Sequence, residues 1–387
     1  MSEAIAVGPP AGPIRRLSRG LERHSRLRLA ALLAPPLSYL LVLYIGSLAF
    51  LLVSAFWHFD SDITFTVTRT FTLENFAQLF NDPTYRNIAV RTVIIATLVT
   101  VTDAAIAFPI AFVIGKLAGR RLKAALAVLV LYIGSLGVLL ASAFWHYDSE
   151  LTFAITKTFT FENFQQLLSD PTYRNIALRT ILIAALVTIT DAVIAFPIAF
   201  AMAKLAGRRL KAVLGVAVLM PLWTSYLVKI LAWRLILSEG GALNWVLRPL
   251  HLSGPGFGDV AVYLVLAYIW LPYMILPLAA GFERVPNSLL EASGDLGART
   301  WATFRRVVLP LVLPALVAGS IFTFSLTLGD YIAVSQVSST QFIGSVIFSN
   351  QGVAGDLPLA AAYAMVPVLV MVVYLLGARK AGAFEAL

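Results

Sequence analysis

Apolar residues run along the chain in eight blocks, at 29–57, 87–115, 124–145, 175–203, 212–236, 259–281, 307–329 and 360–378, with polar stretches between them. Each block is long enough to supply the roughly 20 residues a helix needs to cross a hydrocarbon core. No water is available there for unpaired backbone groups, so each block must close its own hydrogen bonds as a helix. The pattern predicts an all-α polytopic membrane protein with about eight transmembrane helices.

The first four blocks belong to a direct repeat. Residues 41–128 and 129–216 align without a gap, and 64 of the 88 positions are identical. Examples are Asp82 to Ala89 against Asp170 to Ala177 and Lys116 to Lys123 against Lys204 to Lys211. Each unit reads as span, outward loop, span. A short helix is expected in each loop, at Glu74 to Phe80 and Glu162 to Leu168. Asp82-Pro83 and Asp170-Pro171 then supply an N-cap with Pro at the first helical position, which launches the next span. The repeat divides the chain into a basic tail (1–28), a first unit (29–128), a second unit (129–216) and a downstream core (212–387). Adding an even number of spans leaves the core's orientation unchanged.

Composition agrees with the hydropathy pattern: 59% of residues are hydrophobic and only 13% charged, with a mean hydropathy of +0.84. A soluble chain carries about 25% charged residues. The formal charge of +9 does not mark a nucleic-acid binder, because 20 of the 29 Lys and Arg cluster at the ends of apolar blocks. They lie at Arg15 to Arg28, Lys116 to Lys123, Lys204 to Lys211, Arg284 to Arg306 and Arg379-Lys380. Every second loop holds them, which is the positive-inside pattern and places both termini in the cytoplasm. The alternate loops carry Asp60, Asp62, Glu74 and Asp82, and in the second unit Asp148, Glu150, Glu162 and Asp170. No small-residue cleavage site follows the first block, which therefore reads as a retained anchor. Cysteine is absent, so thiolate chemistry is excluded, and His24, His58, His146 and His251 show no metal-ligand spacing.

The most distinctive polar stretch is Glu291 to Pro310, EASGDLGARTWATFRRVVLP, between two apolar blocks. Glu291 to Leu296 can form a short helix, Gly297 can stop it in the left-handed region, and a second helix begins at Thr300. Glu291, Ala292, Ser293, Gly297, Leu309 and Pro310 resemble the EAA coupling loop of ABC-importer permeases, with Ser293 in place of the usual second Ala. Further stretches resemble the spermidine/putrescine-type permease subunits: FTLENF from Phe71, AFPIAF from Ala107, PLWTSYLVKILAWRLIL from Pro221, SLTLGDYIAVS from Ser325 and TQFIGSVIF from Thr340.

That resemblance implies a type I ABC-importer permease core at 212–387, with its coupling loop at 282–306, and an additional duplicated helix pair. The expected setting is the bacterial cytoplasmic (inner) membrane. The chain has no GxxxxGK[ST] phosphate loop, so ATP and Mg²⁺ would be bound by a separate ATPase dimer rather than by this chain. The other implied partners are a second permease subunit, the same or homologous, and an extracytoplasmic solute-binding protein. The second unit runs straight into the core and is expected to take the family positions, leaving the first peripheral or competing for the same slot.

For substrate, Asp330 with Tyr331 is the leading pair, since a carboxylate beside an aromatic face suits an ammonium ligand. A solvated helix-end Asp is the plain alternative. Asp103 and Asp191 occupy matched mid-span positions, where an ionisable group must face a cavity or a partner. Each lies on a stripe of small and polar residues at helical spacing, Thr92, Ala96, Thr100, Asp103 and Ala107, repeated at Thr180, Ala184, Thr188, Asp191 and Ala195. Such a stripe favours helix packing over conduction. Trp223, Thr224 and Lys229 are further pathway candidates, with Lys229 alternatively snorkelling outward beside Arg234. A proton-coupled secondary transporter and a transport-inactive membrane scaffold remain open as alternative functions.

Overall fold

The computed structural model describes residues 33–34, 37–38, 46–59, 67–116, 136–148 and 152–380. The basic tail from Arg15 to Arg28, the acids Asp60, Asp62 and Glu150, and the cluster Arg120, Arg121 and Lys123 lie outside them. Among the described residues, five helices are long and apolar enough to cross a membrane, or six if one sharply bent pair counts as a single span. Of the expected spans 29–57 and 124–145 the structure describes 33–34, 37–38, 46–57 and 136–145, which are helical at 33–34, 37–38, 46–54 and 136–142.

The chain divides into two compact units. One comprises Ala49–Ile176 and Ile343–Val366 and holds the acidic loop of each repeat copy. In each loop a short antiparallel hairpin precedes an amphipathic helix. The first has β1 (Trp57–Phe59), β2 (Val67–Phe71) and α1 (Glu74–Asn81), followed by α2 (Pro83–Lys116). The second has β3 (His146–Tyr147), β4 (Ile155–Thr156) and α3 (Glu162–Ser169), followed by α4 (Pro171–Phe200).

The two loops close in the same way because the polar residues that close them are shared. Asn75 Nδ2 donates to the carbonyls of Ala55 and Trp57, and Asn163 Nδ2 to those of Ala143 and Trp145. Asp82 Oδ1 accepts from the Thr84 amide at 2.7 Å and Asp170 Oδ1 from the Thr172 amide at 2.8 Å. These are the N-caps that Asp-Pro predicts, and the bonds from Thr172 hold the Asp170 carboxyl below its ordinary value. The second loop has an additional tie: Tyr147 donates its hydroxyl to the Ala354 carbonyl at 2.8 Å. Phe59, its repeat mate, has no hydroxyl to offer.

The other unit is built from Ala177–Phe342 and the chain from Pro367 onward, with a few residues before Leu48. After α4 and a π turn at Ala201–Leu205 come α5 (Arg208–Trp223), α6 (Tyr226–Leu237), α7 (Ala242–Leu247) and α8 (Asp259–Arg284). They are followed by α9 (Asn287–Asp295), α10 (Thr300–Thr303), α11 (Leu309–Gly329) and α12 (Ile332–Val337); α13 (Ile343–Ser349) and the first part of α14 (Leu357–Lys380) belong to the unit with the loops, and α14 returns to this one from Pro367. The block 212–236, expected as one span, is instead two helices meeting at 92° around Thr224 and Ser225. A continuous apolar run carries no mark of such a break, since hydropathy is blind to direction.

The core of this unit is centred on α8 and α11, which approach closely because glycine faces the partner. A β-carbon on Gly319 would lie 2.8 Å from Met274 Sδ, and one on Gly281 would collide with the Ala315 β-carbon. Backbone proximity through small residues is how membrane helices gain dispersion contacts without a hydrophobic drive. Replacing Gly281 with Leu is expected to destabilise the fold by about 1–3 kcal/mol through overpacking. Thermal unfolding in detergent measures this as a lowered Tm; an unchanged Tm would show that the two helices do not meet closely at Gly281.

The two copies of the repeat differ in environment despite their similarity. From Pro83 to Pro109 every residue of α2 is exposed, so the stripe Thr92, Ala96, Thr100, Asp103 and Ala107 does not pack against another helix. Its repeat in α4 is buried: Ala184, Asp191 and Ala195 have no exposed surface and Thr180 and Thr188 very little. The packing expected of both stripes is therefore found only in the second copy.

Candidate functional site

Two constellations stand out, one in the polar loop before α11 and one where two helices break. In the loop, α9 ends at Asp295 and Gly297 takes φ +75°. The Gly297 amide bonds to the Gly294 carbonyl at 2.9 Å and the Ala298 amide to the Ser293 carbonyl at 3.0 Å. This paired closure is a Schellman motif and satisfies the last carbonyls of α9. The following helix starts at Thr300 and runs as a π turn over Phe304–Val308 just before Leu309-Pro310. Pro310 has no amide to give the Arg306 carbonyl, and the wider turn relieves the helix of that missing bond.

Glu291 and Ala292 are exposed while Ser293 is buried, its Oγ 2.8 Å from Thr303 Oγ1. The hydroxyl that departs from the usual Ala thus ties α9 to the helix after the turn. Removing one partner of a buried bond costs about 1–3 kcal/mol, whereas removing both is nearly neutral. Thr303→Val is therefore expected to lower Tm measurably and Ser293→Ala/Thr303→Val to restore it. A double variant no more stable than the single one would show that the bond does not secure the turn.

The loop is also fixed at its start. Lys204 Nζ donates to the Val285 carbonyl and, at 3.1 Å, to Asn287 Oδ1, and Lys211 pairs with Glu283 at 2.7 Å. One basic cluster therefore clamps the π turn after α4 and the start of α5 to the residues that lead into α9. Leu296 and Trp301 stand out from the loop, 88% and 68% exposed. Nothing in the sequence pattern distinguished these two from core residues.

The second constellation lies where α11 ends and α12 begins. Asp330 caps both ends of that break: it follows Gly329, and its Oδ1 accepts from the Ala333 amide at 2.9 Å. Its other oxygen accepts a short bond from the Tyr226 hydroxyl, the first residue after the bend between α5 and α6. The Tyr226 ring stacks on Trp270 of α8 at 5.9 Å, and Trp270 meets Tyr273 edge-on at 5.8 Å. Asp330 is 8% exposed, and among the described residues no Lys or Arg pairs with it. The Ile332 amide also donates to this carboxylate, so its bonds come from one hydroxyl and two backbone amides and none from a cation among the described residues.

Tyr331 follows Asp330 in the chain. Trp223 is 73% exposed and Thr224 sits at the bend, its Oγ1 3.3 Å from the Met220 carbonyl. Lys229 is buried on α6, in contrast to the snorkelling expected of it, while Arg234 reaches Gln336 Oε1 at 2.9 Å. Asp103 is exposed and Asp191 fully buried, with no hydrogen-bond partner for either Asp191 oxygen. Tyr226 and Trp270 are the members of the cluster that sequence reading missed; the sole signal was the SY pair after a Trp-Thr in an otherwise apolar run.

Residues 195–379 match the family described as the binding-protein-dependent transport system inner membrane component. The inner membrane ABC transporter permease protein YdcU of Escherichia coli K12 is 43% identical over 274 residues, covering 67% of this chain and 87% of that protein. The chain belongs to this family. This permease is also similar to the spermidine/putrescine transport system permease protein PotB of Escherichia coli K12, 31% identical over 231 residues, which cover 57% of this chain and 82% of PotB. Its fold resembles a bacterial ABC transporter involved in import of the acidic polysaccharide alginate, with TM-score 0.50 at 16% identity over 77% of this chain and 98% of that one. The permease is accordingly a multi-pass subunit of an ABC importer and not an enzyme in its own right.

Proposed function

We propose that this permease forms the translocation pathway for a cationic solute of the polyamine type and is driven by a separate ATPase dimer that grips α9. The observation carrying the substrate reading is the Asp330 junction, a buried carboxylate bonded by a hydroxyl and backbone amides and, among the described residues, by no Lys or Arg, beside a stack of aromatic rings. A buried carboxylate without a counter-charge is costly, and an ammonium group offsets that cost through charge pairing and cation–π attraction. The 31% identity to PotB supports the same class, while the fold shared with an alginate importer is neutral, since fold alone does not select a solute.

The expected mechanism is alternating access. ATP-driven closure of the partner moves α9, the Schellman turn and the Ser293–Thr303 tie transmit the motion to α11, and Lys204 and Lys211 carry it to α4 and α5. Because Asp330 and Tyr226 sit at the breaks of two helices, rotation of either half opens or closes the carboxylate. A solute-binding protein delivers substrate at the outward loops, a second permease subunit completes the pathway, and both termini lie in the cytoplasm.

Uptake of radiolabelled putrescine and spermidine by cells lacking other polyamine importers tests the substrate. Saturable uptake that needs this permease supports the reading; uptake only of neutral or anionic solutes refutes it.

A further inference from the structure

The two copies of the repeat differ at 24 positions, and where those differences fall is informative. Between Pro171 and Phe200 the copies differ at six positions, and none of them is buried in α4. Every buried position in that stretch is occupied by the same residue in α2. The stripe Thr180, Ala184, Thr188, Asp191 and Ala195 is matched by Thr92, Ala96, Thr100, Asp103 and Ala107.

The residues through which α4 is held are matched as well. Thr190 bonds to the Tyr263 hydroxyl at 2.7 Å, and its mate is Thr102. Phe196 and Phe200 lie edge-on to Phe282 at 4.9 and 5.4 Å, and their mates are Phe108 and Phe112. Only past Phe200 do buried residues change, with Val113 for Ala201 and Ile114 for Met202. Interiors tolerate volume changes poorly, so identity at the buried positions means that α2 presents nearly the same volumes, hydroxyls and rings to any seat that accepts α4; the exceptions are half-buried Ile181 and Ala185 beside Phe324 and Leu328, which are Val93 and Thr97 in α2.

We propose that α2 is a second occupant for the seat that α4 fills, so that the chain carries two interchangeable copies of one core element. The surface is the face of α2 that runs from Thr92 to Ala107, now exposed along its length. The partner it fits is the face of α8 that receives Thr190, Phe196 and Phe200, together with the face of α11 that bonds Thr188 through Thr323. Occupancy favours α4, because Val113 adds bulk where Ala201 is fully enclosed and because Tyr147 anchors the second outward loop where Phe59 cannot.

Blocking each copy in the full chain tests the idea without reference to substrate or ATPase. Ala184 is fully enclosed against Phe324 and Leu328, so Ala184→Trp expels α4 from the seat. If α2 substitutes, Ala184→Trp accumulates to within about threefold of the unaltered chain, Ala96→Trp does likewise, and the double variant is lost to degradation.

The chain has no cysteine of its own, so an introduced pair reports the occupant directly. With a short bifunctional thiol reagent to span the space of the lost phenol, Thr190→Cys with Tyr263→Cys is expected to cross-link in the chain with both alanines, and Thr102→Cys with Tyr263→Cys only once Ala184→Trp is present. Loss of the Ala184→Trp chain to the same degree as the double variant overturns the proposal. So does accumulation of Ala184→Trp without the Thr102 cross-link, or full accumulation of the double variant.

Discussion

Gly297→Asp is expected to leave the permease in the membrane yet remove its cognate ATPase on co-purification, lowering the amount retained by about tenfold or more, a loss of at least about 1.4 kcal/mol. Three effects act together. Gly297 holds φ +75°, where a β-carbon costs roughly 1–2 kcal/mol. The new carboxylate stands at the C-terminal end of α9, which already carries partial negative charge and Asp295. It also occupies open space, since nothing in the chain lies within 4 Å of the position a β-carbon would take. Steric damage to the permease itself is therefore small, and the loss falls on whatever approaches from outside. Gly297→Asn separates these effects: Asn tolerates the left-handed region and adds no charge, so most of the ATPase should be kept. Co-purification in detergent measures both, and a Gly297→Asp chain that keeps its ATPase would remove the coupling role from α9.

How much of this was readable from the residues depended on whether a local rule governed the feature. The left-handed turn at Gly297 and the Asp-Pro caps at Asp82 and Asp170 are local, fixed by a few consecutive residues, and the sequence predicts them. The family followed from the same short motifs. The bend at Thr224 was hidden because hydropathy averages over direction, and the Tyr226–Asp330 bond joins residues 104 apart in the chain, which no periodicity connects. The repeat shows a harder limit. Asp103 and Asp191 have nearly the same neighbours in sequence, so any rule that reads local sequence gives them the same environment, yet one is exposed and the other fully enclosed. The tie from Tyr147 to Ala354 is one of the few single-atom differences that separates them.

Asp330→Asn should abolish cation uptake while the permease still accumulates and still holds its ATPase. The substitution is nearly isosteric, and Asn Oδ1 can go on accepting from the Ala333 amide or the Tyr226 hydroxyl, so the helix break survives. What disappears is the negative charge, and with it the pairing that offsets desolvation of an ammonium group. A charge-assisted bond in a buried setting is worth about 3 kcal/mol, and its loss reduces uptake at limiting substrate roughly a hundredfold. Tyr226→Phe provides the contrast. It removes one neutral donor, leaves the charge and the ring stack on Trp270, and costs about 1 kcal/mol, a fall of roughly fivefold. Trp270→Leu removes an aromatic face instead and should fall between the two, since a cation over a ring gains about 2 kcal/mol when desolvated. The order Asp330→Asn, Trp270→Leu, Tyr226→Phe in labelled polyamine uptake, at equal ATPase retention, is what a cation site at this junction requires. Uptake by Asp330→Asn equal to that of the unaltered permease would place the substrate elsewhere in the pathway.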